Sequence, residues 1–321
     1  MPNAKACREA FTATLLELAT QDKDIIAVSS DARGSCSLTP YIDALPDQFV
    51  EVGIAEQNEI GIAAGLASVG KKPYVCAPAC FLTARSLEQL KVDVAYSHQN
   101  VKIFAVSGGV SYGALGASHH TLHDIATLRC FPDISIILPC DAVQTEAVLR
   151  AIATRKEAVY IRVGREKVPL VYDETIHGKP FEFGKANVLK EGSDVTLVAC
   201  GEMVHHTYMA AQLLEKKGIN ARVLDIPTLK PFDEDAIVAA AKETGAIITV
   251  EEHSIYGGLG SAVNQVVVQH HPTKVKNLAF PDEYLVTGNS AELFAHYGLD
   301  AAGIAQVAQS MIAELRSTHE S

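Results

Sequence analysis

Short apolar, β-branched runs alternate along this chain with longer stretches whose apolar positions recur at helical spacing. Near-continuous apolar runs at 24–30, 73–77, 101–106, 135–138 and 158–163 predict strands buried on both faces. Helical patterns fill the intervals at 7–20, 56–69, 86–97, 123–130 and 142–154. Over 165–184 the periodicity breaks into charges punctuated by Pro169, Gly178, Pro180 and Gly184, which reads as a linker. A second alternating unit follows, with strands at 194–199, 221–226, 246–251 and 275–279 and helices at 204–217, 233–243, 260–270 and 301–316. Strand–helix alternation of this kind predicts an α/β chain of two domains, each a mostly parallel sheet with helices on both faces. The expected boundaries are a first domain at 1–170, a linker at 171–184 and a second domain at 185–321.

Composition narrows the function. The net charge of −11 argues against a nucleic-acid surface, which needs a basic stripe. No apolar run approaches the roughly 18 residues of a membrane span. The polar start, Met1 to Arg8, lacks the apolar core of a secretory signal, so a cytoplasmic protein is expected. The seven cysteines are scattered through apolar stretches and read as reduced, buried thiols. Cys76 and Cys80 stand four apart, without the CxxC pairing of a zinc site.

In open parallel sheets, ligands bind at the carboxyl ends of the strands, so the loops there are where chemistry is sought. Glu56, in Ala55-Glu56-Gln57-Asn58, stands at the entrance to an Ala/Gly-rich apolar helix expected to be buried. It reads either as a charge favoured by the helix dipole or as a carboxylate kept dry to handle a proton or hold a ligand nitrogen. The glycine-rich segment 107–120 ends in Ser118-His119-His120, with His123 close behind. These histidines suggest an acid–base group more than a metal shell, because no acidic or cysteine cluster completes one. Gly113-Ala114-Leu115-Gly116 lacks the spacing of a dinucleotide fingerprint. Arg162 and Arg165 flank the end of the fifth strand, as a solvated junction pair or as an anion clamp.

The segments 52–67, 72–74, 81–82, 116–119 and 128–132 resemble the pyrimidine-binding domain of transketolase and deoxyxylulose-phosphate synthase, and 184–231 and 256–263 resemble the family's C-terminal domain. The whole is most similar to the C-terminal subunit of split transketolases, which transfer a two-carbon ketol unit using thiamine diphosphate. The resemblance implies that Glu56 hydrogen-bonds the aminopyrimidine, Phe81 stacks on it, and Asp31 lies near the cofactor. It puts His119 at the reacting centre and Ser35 and Arg165 on the anionic end of the sugar. The family's diphosphate motif, Gly-Asp-Gly, does not occur in the sequence. The resemblance therefore implies an N-terminal partner subunit that carries this motif, holds Mg2+ or Ca2+ and joins this chain in an α2β2 heterotetramer, with no metal held by this chain.

Four departures bear on the substrate. Leu115 stands where the family has an aspartate, Ser107 where it has a phosphate-binding histidine, and His120 where it has a glutamine; an N-terminal arginine of the family falls at or near Ala4. A leucine cannot accept a hydrogen bond, so a hydroxyl facing it is left unpaired. The expected substrate is a sugar phosphate or similar anionic ketose other than the ordinary pentose phosphates, branched like apulose 4-phosphate or sulfonated. The alternatives are the β subunit of a 2-oxo acid dehydrogenase and a non-catalytic subunit that stabilises a partner.

Overall fold

The computed structural model describes residues 4–173, 176 and 179–319. The chain opens with β1 (Lys5–Ala6), α1 (Cys7–Gln21), β2 (Ile25–Ser29), α2 (Thr39–Ala44), β3 (Phe49–Glu51), α3 (Glu56–Ser68), β4 (Lys72–Pro78) and α4 (Ala79–Arg85). A short α5 (Leu87–Gln89) passes into a π-helical stretch, Leu90–Tyr96. Then come β5 (Lys102–Val106), α6 (Asp124–Arg129), β6 (Ile134–Ile137), α7 (Ala142–Ile152), β7 (Ala158–Arg162) and β8 (Lys167–Val168). The second part holds β9 (Asn187–Lys190), β10 (Val195–Ala199), α8 (Met203–Glu215), β11 (Ala221–Asp225), β12 (Thr228–Lys230), α9 (Glu234–Thr244), β13 (Ala246–Ser254), α10 (Leu259–His270), β14 (Lys274–Phe280), α11 (Ser290–His296) and α12 (Ala301–His319).

A seven-stranded sheet runs β12-β6-β7-β5-β4-β2-β3 and a five-stranded sheet runs β14-β13-β10-β11-β9. All neighbours are parallel except β12 on β6 and β9 on β11, each an antiparallel edge. The α/β expectation holds in both sheets. Every residue of β2, β5, β6, β7 and β10 is buried, as strands covered on both faces must be. Helix starts follow side-chain chemistry: Asp141 and Asp233 cap α7 and α9, and Asn289 with Glu292 forms a capping box on α11.

Several features depart from the sequence reading. The short strands β1, β3, β8, β9 and β12 carry too few alternating positions to stand out, and α2, α4 and α11 are six or seven residues long. The helix expected from residue 86 is preceded by α4 and continues as the π-helical stretch. β12, from the second part of the chain, completes the first sheet, and one apolar cluster runs from Phe11 and Phe104 through Ile136 to Leu224, Ile247 and Val263. The two sheets therefore share a core. Helix α3 buries Glu56, Glu59, Ile60, Ala63 and Ala64, but its other face is open, with Gln57, Asn58 and Gly65 exposed. Six cysteines are buried as expected, whereas Cys130 is exposed. Residues 174, 175, 177 and 178 of the expected linker, Gly178 among them, lie outside the described residues.

Arg162 is neither a solvated junction residue nor an anion clamp. It is 5% exposed, with Nε 3.1 Å from Asp124 Oδ2, and Nη2 donates to the Glu252 carbonyl at 2.7 Å. Tyr160 donates to the same Asp124 oxygen at 2.7 Å. His253 lies 3.8 Å from Asp124, but burial lowers its pKa to about 4 and its Nε2 accepts from the Ala126 amide, so it is neutral there. Burial raises the carboxyls of Glu202 and Glu252, with the charge of Glu252 adding to the effect on Glu202. A leucine in place of Arg162 leaves Asp124 buried without its cation. Arg162→Leu is expected to destabilise the chain by about 3–5 kcal/mol, checked by urea denaturation; a change within about 0.5 kcal/mol is what a surface site gives.

Candidate active site

The cavity that matters lies at the carboxyl ends of neighbouring parallel strands, where such sheets bind ligands. Ser30, Asp31, Ala32 and Ser35 reach it after β2, Ile54 and Glu56 after β3, and Pro78, Phe81 and Arg85 from the end of β4 and α4. Tyr112, Leu115 and His119 enter on the glycine-rich loop after β5. The volume is about 440 Å³. Asp31, Ser35, Glu56, Phe81, Leu115 and His119, six residues singled out in the sequence, thus meet on one wall.

Glu56 is the first residue of α3, where the helix dipole favours its charge, and its side chain is 7% exposed. Its Oε1 accepts from Arg85 Nη1 at 2.6 Å, and the same guanidinium lies 4.0 Å from the centre of the Phe81 ring. Below it Glu59 is fully buried, accepting from Ser30 Oγ at 2.7 Å and from the Cys76 amide at 3.3 Å. Burial pushes the Glu59 carboxyl up to about 8. His119 is bordered edge-on by Phe81, at 5.3 Å, and by Tyr112, at 5.5 Å. Ser118 Oγ is 2.9 Å from its Nδ1, which leaves Nε2 as the other ring nitrogen. Asp31 is held at φ 56°, a left-handed conformation that aspartate tolerates, with its amide donating to Glu51 at 2.8 Å.

The remaining sequence candidates are dispersed. Arg165 lines a neighbouring cavity of about 680 Å³, shared with Tyr112 and Leu115 and closed by His205, His206 and Phe294 of the second part of the chain. His120 is buried, its Nε2 is 3.2 Å from the Gly113 carbonyl, and it faces a third cavity with His123 and Tyr284. Burial lowers its pKa, so it is a neutral hydrogen-bonding group. Ser107 is fully buried at φ 63°, its hydroxyl unpaired, and it lines none of these three cavities.

Comparison with known proteins settles the family. The transketolase pyrimidine binding domain matches residues 3–171, and the transketolase C-terminal domain matches 184–304. The chain belongs to the transketolase family. It is 57% identical, over 97% of its length and 98% of the relative's, to one of the subunits of the apulose-4-phosphate transketolase of Phocaeicola vulgatus. It is 34% identical, over 95% of its length and 94% of the relative's, to a 6-deoxy-6-sulfo-D-fructose transketolase subunit of a Clostridium species. A solved split-gene transketolase, described as an inactive β4 tetramer, superposes with a TM-score of 0.85 at 38% identity, covering 97% of this chain and 99% of that one. The chain is thus a transferase subunit of the split-transketolase kind, and these relatives support that reading over a 2-oxo acid dehydrogenase.

Thiamine diphosphate is the transketolase cofactor, and the donor set here suits its aminopyrimidine end. A buried carboxylate at a helix N-terminus and an aromatic face stand side by side on one wall, matched to a ring that carries both nitrogen and a π-face. Sequence reasoning missed Arg85 and Tyr112. Arg85 stands four residues after Phe81, the spacing at which side chains meet on a helix, and recognising α4 would have exposed the pair. Tyr112 is the one aromatic residue in 107–118.

Glu59 also makes stability depend on pH. Its folded pKa lies above the ordinary 4.5, so its contribution is complete below about pH 4.5 and lost as pH rises to about 8. Denaturation between pH 5 and 8 is expected to show that loss, at up to about 1.4 kcal/mol per pH unit for a single group. Glu251 and Asp225, both raised to about 7, act in the same direction. Glu59→Gln should flatten the profile; an unchanged slope contradicts a protonated Glu59.

Proposed function

We propose that this chain is the pyrimidine-binding half of a two-subunit transketolase acting on an anionic ketose. The observation that carries the reading is the meeting of Glu56, Phe81 and His119 in one cavity with Ser35 and Asp31. When bound, thiamine diphosphate supplies the nucleophilic carbon for cleaving and re-forming the bond next to the ketose carbonyl. Glu56 holds a proton at the aminopyrimidine ring nitrogen, and its burial keeps water from competing for it. Phe81 offers the ring a face. With Nδ1 held by Ser118, His119 presents Nε2 to the ketose C2 oxygen, where it donates as negative charge develops. Arg85 pairs with Glu56 and covers Phe81, and yields both faces when the cofactor enters.

An N-terminal partner subunit supplies the diphosphate and metal site, with Mg2+ or Ca2+, through its Gly-Asp-Gly motif, and two copies of each chain form an α2β2 heterotetramer. Exposed apolar side chains support such a partner: Ile54 (75%) and Leu115 (56%) line the cavity, and Val69 (75%) and Tyr96 (79%) stand elsewhere on the first part of the chain. The substrate is an anionic sugar whose anionic end is held on the side of Ser35, with Arg165 acting from the neighbouring cavity, and it is chosen in part by Leu115, which refuses a hydroxyl that an aspartate would accept. Ser107 and His120 then influence choice from behind the wall. The names of the relatives, for a branched sugar phosphate and a sulfonated sugar, support a ketose of this kind. The domain limits that suit this division of labour are 1–170 and 185–321, with a cytoplasmic location.

The test is reconstitution with the partner subunit and a panel of ketose donors, scored by kcat/KM. A branched or sulfonated ketose is expected to exceed xylulose 5-phosphate by roughly two orders of magnitude, since each lost charged hydrogen bond is worth about 1.5–3 kcal/mol. Glu56→Gln should lower kcat on the best donor by about 10²-fold or more. Equal turnover of the pentose phosphate refutes the substrate assignment, and a fully active Glu56→Gln refutes the role of the carboxylate.

A further inference from the structure

The residues expected to grip the anion do not share a cavity. Ser35 lines the cavity of Glu56 and His119, whereas Arg165 lines only the neighbouring one. Tyr112 lines both. Its hydroxyl accepts from Arg165 Nη1 at 2.6 Å and lies 3.0 Å from Ser35 Oγ, and the guanidinium carbon stands 4.9 Å from its ring centre. The other edge of the arrangement is fixed as well: Arg8, near the start of α1, donates from Nη1 to the Ser35 carbonyl at 2.9 Å. The group facing the reacting cavity is therefore a phenol with an arginine behind it.

We infer that Tyr112 determines specificity for the anionic end of the ketose. A phenol oxygen has two lone pairs and one proton. With one lone pair taken by Arg165, the O–H is polarised and donates more strongly to an anionic oxygen in the cavity. Ser35 Oγ, beside it, is the second donor once the anion takes the place of the hydrogen bond between the two hydroxyls. Arg165 is a positioning residue: it orients the phenol and lends it charge without reaching the substrate. The ring, edge-on to His119, sets the distance between the anionic terminus and the reacting carbonyl. This inference rests on the reading of the cavity as an anionic-ketose site.

The experiment uses the complex reconstituted with its partner and two ketose donors of equal chain length, one phosphorylated and one neutral. Tyr112→Phe keeps the ring and removes the hydroxyl. It is expected to lower the preference for the phosphorylated donor, the ratio of the two kcat/KM values, about tenfold, through KM more than kcat. Inorganic phosphate should weaken as a competitive inhibitor in parallel. Arg165→Gln should have a similar effect, and the double variant should be little worse than either single one, because the two act as a unit. A Tyr112→Phe enzyme whose KM for the phosphorylated donor is unchanged or lower, beside an Arg165→Gln enzyme that loses it, means that the anion displaces the phenol and meets the guanidinium directly, which overturns the inference. An equal loss on both donors reduces Tyr112 to a support of the loop and overturns it too. A complex that turns over neither ketose brings down the underlying reading instead, and the inference with it.

Discussion

Arg162 holds its charge in the seam between the two sheets at 5% exposure, and the loop above it starts from backbone packed against it. A Cβ on Gly108 would stand 2.2 Å from Arg162 Nε, and one on Gly109 would stand 2.1 Å from the Glu252 carboxyl carbon. The backbone is thus pressed directly onto the ion cluster. Gly109 is also at φ 59°, and its amide and carbonyl pair with Thr121, closing the loop at its base. Everything between those anchors, Tyr112, Leu115 and His119 included, projects from a fixed foot. A buried ion cluster is weak evidence of stability, but here it specifies one arrangement of a loop that glycine would otherwise leave free.

The same seam explains why the second part of the chain belongs to the site although it supplies no residue to the wall around Glu56. Glu252 and His253 at the end of β13 and β12 on the first sheet's edge lock the two sheets together. His205, His206 and Phe294 close the cavity that holds Arg165. The C-terminal domain thereby shapes the pocket behind Tyr112, and with it the surroundings of the arginine that the phenol meets.

The long elements were legible because burial on both faces leaves continuous apolar runs, as in β5 and β7, and because one-sided burial leaves a helical period, as in α7 and α9. Short edge strands have neither signal, so β12 and its crossing to the first sheet were not visible. Glu56 could be read either way from spacing; its 7% exposure and its place on the cavity wall belong to the folded chain. Arg162 misled for a physical reason: an arginine at a strand end resembles a surface clamp until the carboxylates that bury it, far away in sequence, are placed beside it. Tyr112 carried no warning because its role is made by Arg165 and Ser35, 53 and 77 residues distant.

The central claim is that the wall formed by Glu56, Phe81 and His119 receives the aminopyrimidine half of thiamine diphosphate at a junction with a second polypeptide. The most direct measurement is a structure of the chain assembled with its partner and the cofactor. The account predicts a ring nitrogen within hydrogen-bonding distance of Glu56, the aminopyrimidine against Phe81 with Arg85 moved off that face, and the diphosphate and metal on the partner. A cofactor bound elsewhere, or one whose pyrimidine leaves the Arg85–Glu56 pair intact, contradicts it.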